Sequence, residues 1–89
     1  MPKYVMWGNY CENVEEKRAP YRQAHLDGLK EQKEQGVLLT IGPTKDLKQV
    51  FGLYDAPDEA TVRKLVENDP YWQNGVWTDY QVKEWIQAF

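Results

Sequence analysis

The spacing of apolar residues along the chain switches between short continuous runs and helical stripes, and the switches mark the elements. Lys3 to Asn9, KYVMWGN, is rich in Val, Trp and Tyr and predicts a strand. CENVEEKRAP follows, polar and irregular. Pro20 to Gln35 predicts a helix. Pro20 suits its first turn, where a missing N–H costs nothing. Gly36 suits a left-handed cap at its end. Val37 to Gly42, VLLTIG, is almost wholly apolar and predicts a buried strand, stopped by Gly42-Pro43. The polar KDLKQ, Lys45 to Gln49, reads as a turn, and Val50 to Asp55, VFGLYD, as a third strand. Pro57-Asp58 opens a second helix with Asp58 as N-cap. Val62, Leu65 and Val66 make its apolar stripe at i, i+3, i+4. Asn68-Asp69-Pro70 ends it, because the residue before a proline is pushed out of the α region. Tyr71 to Trp77 is an aromatic loop with Asn74-Gly75 as its turn. Thr78 to Trp85 alternates, with Tyr80 and Val82 on one side and Gln81 and Lys83 on the other, and predicts a half-buried last strand.

The order is β-α-β-β-α-β. Right-handed crossovers turn it into an α+β fold, a four-stranded antiparallel sheet with two helices on one face. The 89 residues make one domain, 1–89, with no linker or repeat. A chain of that size buries roughly 60–65 % of its unfolded surface and has nothing left to cover the second sheet face. Four Trp and six Tyr are more than so small a core needs. The expected remedy is a homodimer through the sheet face, with aromatic side chains as its material.

Eleven basic and fourteen acidic residues leave a net charge of −3, which argues against a nucleic-acid partner. No apolar run approaches the roughly 18 residues of a membrane span. No signal-peptide stretch opens the sequence either. With Cys11 as the one thiol, the expected location is cytoplasmic.

The candidate chemistry centres on the one histidine. With His25 at zero on an ideal helix, Gln32 lies about 20° away, Leu29 and Tyr21 about 40°, and Gly28 and Arg22 about 60°. If the helix reaches back past Pro20, Arg18 joins the stripe. Gln23, Asp27, Lys30, Glu31 and Glu34 form the opposite, solvent-facing side. His25 therefore sits beside the face that meets the sheet, with arginines near it. A lone histidine in such a place is more often a packing residue than a catalyst. Arginines there also pair with local carboxylates such as Glu15 or Glu16, and Asp69 alone reads as a turn residue. Other chemistries lack their residues. The glycines fall in no phosphate-loop spacing, there is no serine, and one Cys with one His builds no zinc site.

The string EKR at 16–18, RQAHL at 22–26, then Leu29, Gly36, Leu39 and Gly42-Pro43 resembles the YciI-like (YCII-related) proteins. So do Asp69-Pro70 with an aromatic directly after, Gly75-Val76 and a last strand finishing near Trp85. The resemblance spans essentially the whole chain. It implies a ferredoxin-like βαββαβ fold of the dimeric α/β-barrel type, and a histidine and an aspartate meeting in a pocket. It maps those two onto His25 and Asp69, and the basic residues beside them onto Arg22 and Arg18. Relatives include dehydrochlorinases of chlorinated hydroquinones and proteins resembling muconolactone isomerases. Gln23 stands where many members have Pro. TKDLKQVFGLYDA lacks the usual glycine-rich turn, which bears on the shape of the pocket.

The reading of the residues runs parallel. Helices on one sheet face can bring His25 and Asp69 together. A carboxylate on one imidazole nitrogen leaves the other free as a base. The leading expectation is a lyase or isomerase acting on a small anionic or aromatic molecule without cofactor or metal. His25 is its acid/base, Asp69 the orienter, Arg22 and Arg18 the anion clamp, and Tyr71 and Trp72 the aromatic contacts. The alternative is a non-catalytic ligand- or partner-binding dimer whose His–Asp pair is structural. A haem ligated by His25 is a third, weaker reading.

Overall fold

A computed structural model describes residues 1–89. Four strands, β1 (Lys3–Tyr10), β2 (Leu38–Pro43), β3 (Gln49–Asp55) and β4 (Trp77–Trp85), form one antiparallel sheet in the order β2-β3-β1-β4. The helices are α1 (Val14–Arg18), α2 (Arg22–Glu34), α3 (Glu59–Glu67) and α4 (Pro70–Gln73). The ferredoxin-like βαββαβ order is therefore present, with a one-turn helix added before each main crossover ends.

The differences from the expected boundaries have local causes. The segment read as irregular holds α1, anchored by buried Val14. Glu15 and Glu16 in its first turn and Lys17 and Arg18 in its last complement the helix dipole. Pro20 lies in the turn before α2, whose N-cap is Tyr21, so Arg18 ends a separate helix and is not on the α2 stripe. The apolar run VLLTIG is not a buried strand. It is the sheet edge, where only Leu38 is buried, and an edge position accommodates Pro43 within β2. Gly36 and Gly75 adopt φ of 80° and 71°, as turns after helices require. Asp58 caps α3 by accepting the Thr61 N–H at 2.8 Å.

Tyr4, Met6, Val50, Tyr54 and Val82 point to the helices and pack with Val62, Val66, Tyr71 and Val76. The opposite sheet face carries Trp7 beside Phe51 and Val5 beside Leu53. Trp7, Phe51 and Trp85 are among the most exposed large apolar residues of the sheet.

One irregularity matters for the site. β1 and β4 pair in register from Lys3 opposite Trp85 to Asn9 opposite Asp79, then Thr78 is skipped and Tyr10 meets Trp77. In strict alternation Trp77 shares the outer face with Asp79, Gln81 and Lys83. The bulge turns it onto the helix face, where it is 2 % exposed. Asp79 pins the bulge, accepting the Asn9 backbone N–H at 3.1 Å and its side-chain amide at 3.0 Å.

Candidate active site

His25 is the buried residue of α2, and Asp69 stands between α3 and α4. Asp69 is more than the end of a helix. With extended backbone (φ −73°, ψ 135°) it caps α4, accepts the Tyr71 N–H at 2.8 Å and is followed by Pro70 at the first helical position. That cap fixes the carboxylate, and both of its oxygens face His25 Nδ1, at 2.8 and 2.9 Å. A carboxylate only accepts, so Nδ1 carries the proton and the lone pair of a neutral ring lies on Nε2. Nε2 has no partner in the chain, and the imidazole side chain keeps 8 % exposure.

Aromatic rings hold the imidazole from two sides. Tyr71 stacks flat on it, centroids 3.6 Å apart and planes 7° apart. Trp77 meets it edge-on at 5.4 Å and meets Tyr71 edge-on at 5.7 Å. The bulge is what places Trp77 there.

Burial pushes the Tyr71 hydroxyl above the ordinary phenol range, while the charges of Arg18 and Arg22 pull it the other way. Both positive charges thus act on the Tyr71 hydroxyl, although Arg22 is exposed and Arg18 half-buried. Burial also raises the Tyr10 hydroxyl, opposed by Trp77 and Arg18 and reinforced by Asp69. Tyr54 is raised by burial and then by the Asp69 charge.

Of the residues expected at the site, His25, Asp69 and Tyr71 come together, and the charges of Arg18 and Arg22 reach the Tyr71 hydroxyl. Trp72 does not join them. It lies edge-on to Tyr80 at 5.0 Å, on the side where Tyr80 bonds Glu67. Trp77 packs against His25 and Tyr71, and Tyr10 is its cross-strand partner; neither was singled out from the sequence. The available signal was the break in alternation at Trp77-Thr78. No group of three or more His, Cys, Asp or Glu stands close enough to hold a metal ion. No helix is long and apolar enough to cross a membrane.

The clefts of the single chain stop short of the pair. One of about 370 Å³ runs between α2 and β2 and reaches Leu29, one turn from His25. Another of about 640 Å³ lies beyond the end of β1 and reaches Tyr10. Neither is lined by His25 or Asp69.

The structure is an α+β protein of ferredoxin-like architecture with a buried His–Asp pair between its helices. The chain belongs to the YCII-related domain family, whose model matches residues 2–86. None of the curated proteins matches it by sequence. Among solved structures it is similar to a 5-chloro-2-hydroxyhydroquinone dehydrochlorinase from Burkholderia phenoliruptrix in complex with 2,5-dihydroxybenzoquinone. The TM-score is 0.83 at 23 % identity, covering 97 % of this chain and 95 % of that one. An antibiotic biosynthesis monooxygenase follows at TM-score 0.60 and 10 % identity, covering 99 % of each chain. A NIPSNAP family protein from Agrobacterium tumefaciens matches at TM-score 0.60 and 13 % identity, covering 97 % of this chain and 91 % of that one. At these identities the likeness to solved structures is one of fold.

Proposed function

We propose that the protein is a small lyase- or isomerase-type enzyme acting on an anionic or aromatic molecule, with His25 as general acid/base and Asp69 as its orienter. The observation that carries this is the two-oxygen contact of Asp69 with His25 Nδ1, which holds Nε2 as the free basic nitrogen. Nε2 takes a proton from the substrate, and the imidazolium that forms is stabilised by the Asp69 carboxylate. Arg18 and Arg22 supply positive charge for an anionic substrate or a developing enolate. The dehydrochlorinase of similar fold acts on a hydroquinone and holds a dihydroxybenzoquinone, which supports a planar oxygenated ring as the substrate class.

Thermal unfolding with 2,5-dihydroxybenzoquinone, simple phenols and small carboxylates tests the reading. A ligand at a hundred times its Kd adds about 2.7 kcal/mol, a melting shift on the order of 10 °C for a chain this small. The burial of the pair, with no cleft lined by it, favours the second reading, a non-catalytic binding dimer whose His–Asp bond is structural. A melting temperature unmoved across the panel supports that reading and counts against the enzyme.

The proposal includes a homodimer through the open sheet face, where Val5, Trp7, Phe51, Leu53 and Trp85 lie together without cover. Trp7→Glu with Phe51→Glu is expected to give a folded monomer by sedimentation velocity where the native chain sediments as a dimer. Equal sedimentation of the two proteins excludes this interface. The free Cys11 fits a reducing, cytoplasmic setting.

A further inference from the structure

We infer that the Trp77 indole N–H and the Tyr10 hydroxyl form a donor pair that holds the oxygen of a phenol or enol once His25 has removed its proton; this rests on the acid–base reading of His25. Trp77 is 2 % exposed, yet its N–H has no hydrogen-bond partner. Buried donors are seldom left unpaired, because losing water without a replacement costs about 1–3 kcal/mol. Here the unpaired donor belongs to the ring that lies edge-on to His25. It was put there by a bulge that interrupts regular pairing between β1 and β4. A feature that turns a large side chain from the outer face into the aromatic box, and leaves its one polar atom unsatisfied, is accounted for by a ligand atom.

Tyr10 is the cross-strand partner of Trp77 at the bulge. The Trp77 indole N–H lies close enough to the Tyr10 oxygen to favour its ionised form, but the two do not close to hydrogen-bond geometry, so the indole donor stays unpaired. Because burial raises it above the ordinary phenol range, Tyr10 stays protonated at neutral pH and serves as a donor. Its ring also lines the larger cleft, which brings a ligand from solvent as far as Tyr10.

The charges along that route say in which form the ligand arrives. Glu12 and Asp46 line the cleft against Lys48, so it does not favour a free anion. A neutral hydroxyl on a planar carbon enters instead. Its proton passes to His25 Nε2, the O–H electron pair stays on oxygen, and the resulting anion meets the two donors with Arg18 nearby. Donors preset for a charge that appears only during reaction favour the reacting state over the bound substrate.

The probe is 4-nitrophenol, whose phenolate absorbs where the phenol does not. At a pH below its own pKa, the native protein is expected to raise the phenolate absorbance. At high pH, where the probe is already ionised, Tyr10→Phe and Trp77→Phe are each expected to bind it about tenfold or more weakly, from one lost charged hydrogen bond. His25→Gln keeps that high-pH binding and loses the ionisation at low pH. In nitrogen-15-labelled native protein the Trp77 indole proton moves downfield on saturation, a readout that stands even if Trp77→Phe fails to fold. Native-strength binding by Tyr10→Phe with an unmoved Trp77 resonance overturns the donor pair, as does the absence of binding to the native protein. If the donor variants weaken binding while His25→Gln ionises the probe normally, the donor pair stands and the general-base reading falls.

Discussion

His25→Gln is expected to lower turnover by about 10²–10⁴-fold, the usual contribution of a positioned general acid or base, while the chain stays folded. Glutamine was chosen for what it preserves. Its amide N–H can donate to Asp69, so the carboxylate keeps a partner besides the Tyr71 N–H. It cannot take up a proton. His25→Ala removes both properties. It is expected to show the same loss of turnover and, in addition, a stability loss of roughly 1–3 kcal/mol from the orphaned carboxylate, together with a bare Tyr71 ring where the imidazole stacked. Steady-state kinetics and urea midpoints on the two variants separate chemistry from structure. If His25→Gln turns over at the native rate, His25 is a packing residue and the Asp69 contact is a structural bond. A parallel fall of both quantities only in His25→Ala points the same way.

Much of this arrangement could be read from the chain because it is local. The Asp58 cap, the left-handed Gly36 and Gly75 and the stripe of Val62, Leu65 and Val66 each follow from a few neighbouring residues. The meeting of His25 and Asp69 was accessible too, since one helix wheel and one helix end share a sheet face. What stayed hidden depends on contacts between distant segments. Tyr71 and Trp72 are adjacent on a one-turn helix, about 100° apart, and nothing near them says which ring faces His25. The packing of α4 decides, and it selects Tyr71. VLLTIG reads as buried because composition does not record that β2 is the sheet edge. Trp77 is the clearest case. Its own alternation points it outward, and only the skipped pairing opposite Tyr10, at the far end of the chain, turns it in.

Gly8→Ala is expected to be among the most damaging single-methyl changes in the protein, because the β1 and β4 backbones run unusually close there, next to the bulge. A Cβ at Gly8 meets the carbonyl oxygen of Asp79 at 2.2 Å, its carbonyl carbon at 3.1 Å and the Tyr80 Cα at 3.1 Å. All three are main-chain atoms of β4, so no rotamer change relieves the clash. β4 must move away from β1 where Asp79 and Asn9 hold the bulge together, and Trp77 lies just beyond that point. Overpacking of this kind costs about 1–3 kcal/mol, occasionally more, and here it also displaces a wall of the His25 site. Gly52→Ala is the informative contrast. Its nearest atoms, at 3.1 and 3.3 Å, belong to the side chains of Tyr54 and Ile41 rather than to backbone, so a shift of a few tenths of an ångström relieves the contact. Gly28→Ala, inside α2 with nothing within 4 Å, is expected to stabilise the protein by about 0.5–1 kcal/mol through helix propensity. Urea unfolding should therefore rank the midpoints Gly28→Ala above native and Gly8→Ala lowest. Near-ultraviolet circular dichroism of Gly8→Ala should lose the signal of the Trp77 environment. A Gly8→Ala protein with native midpoint and native spectrum means that β4 has room to retreat, and that the bulge does not fix Trp77 against His25.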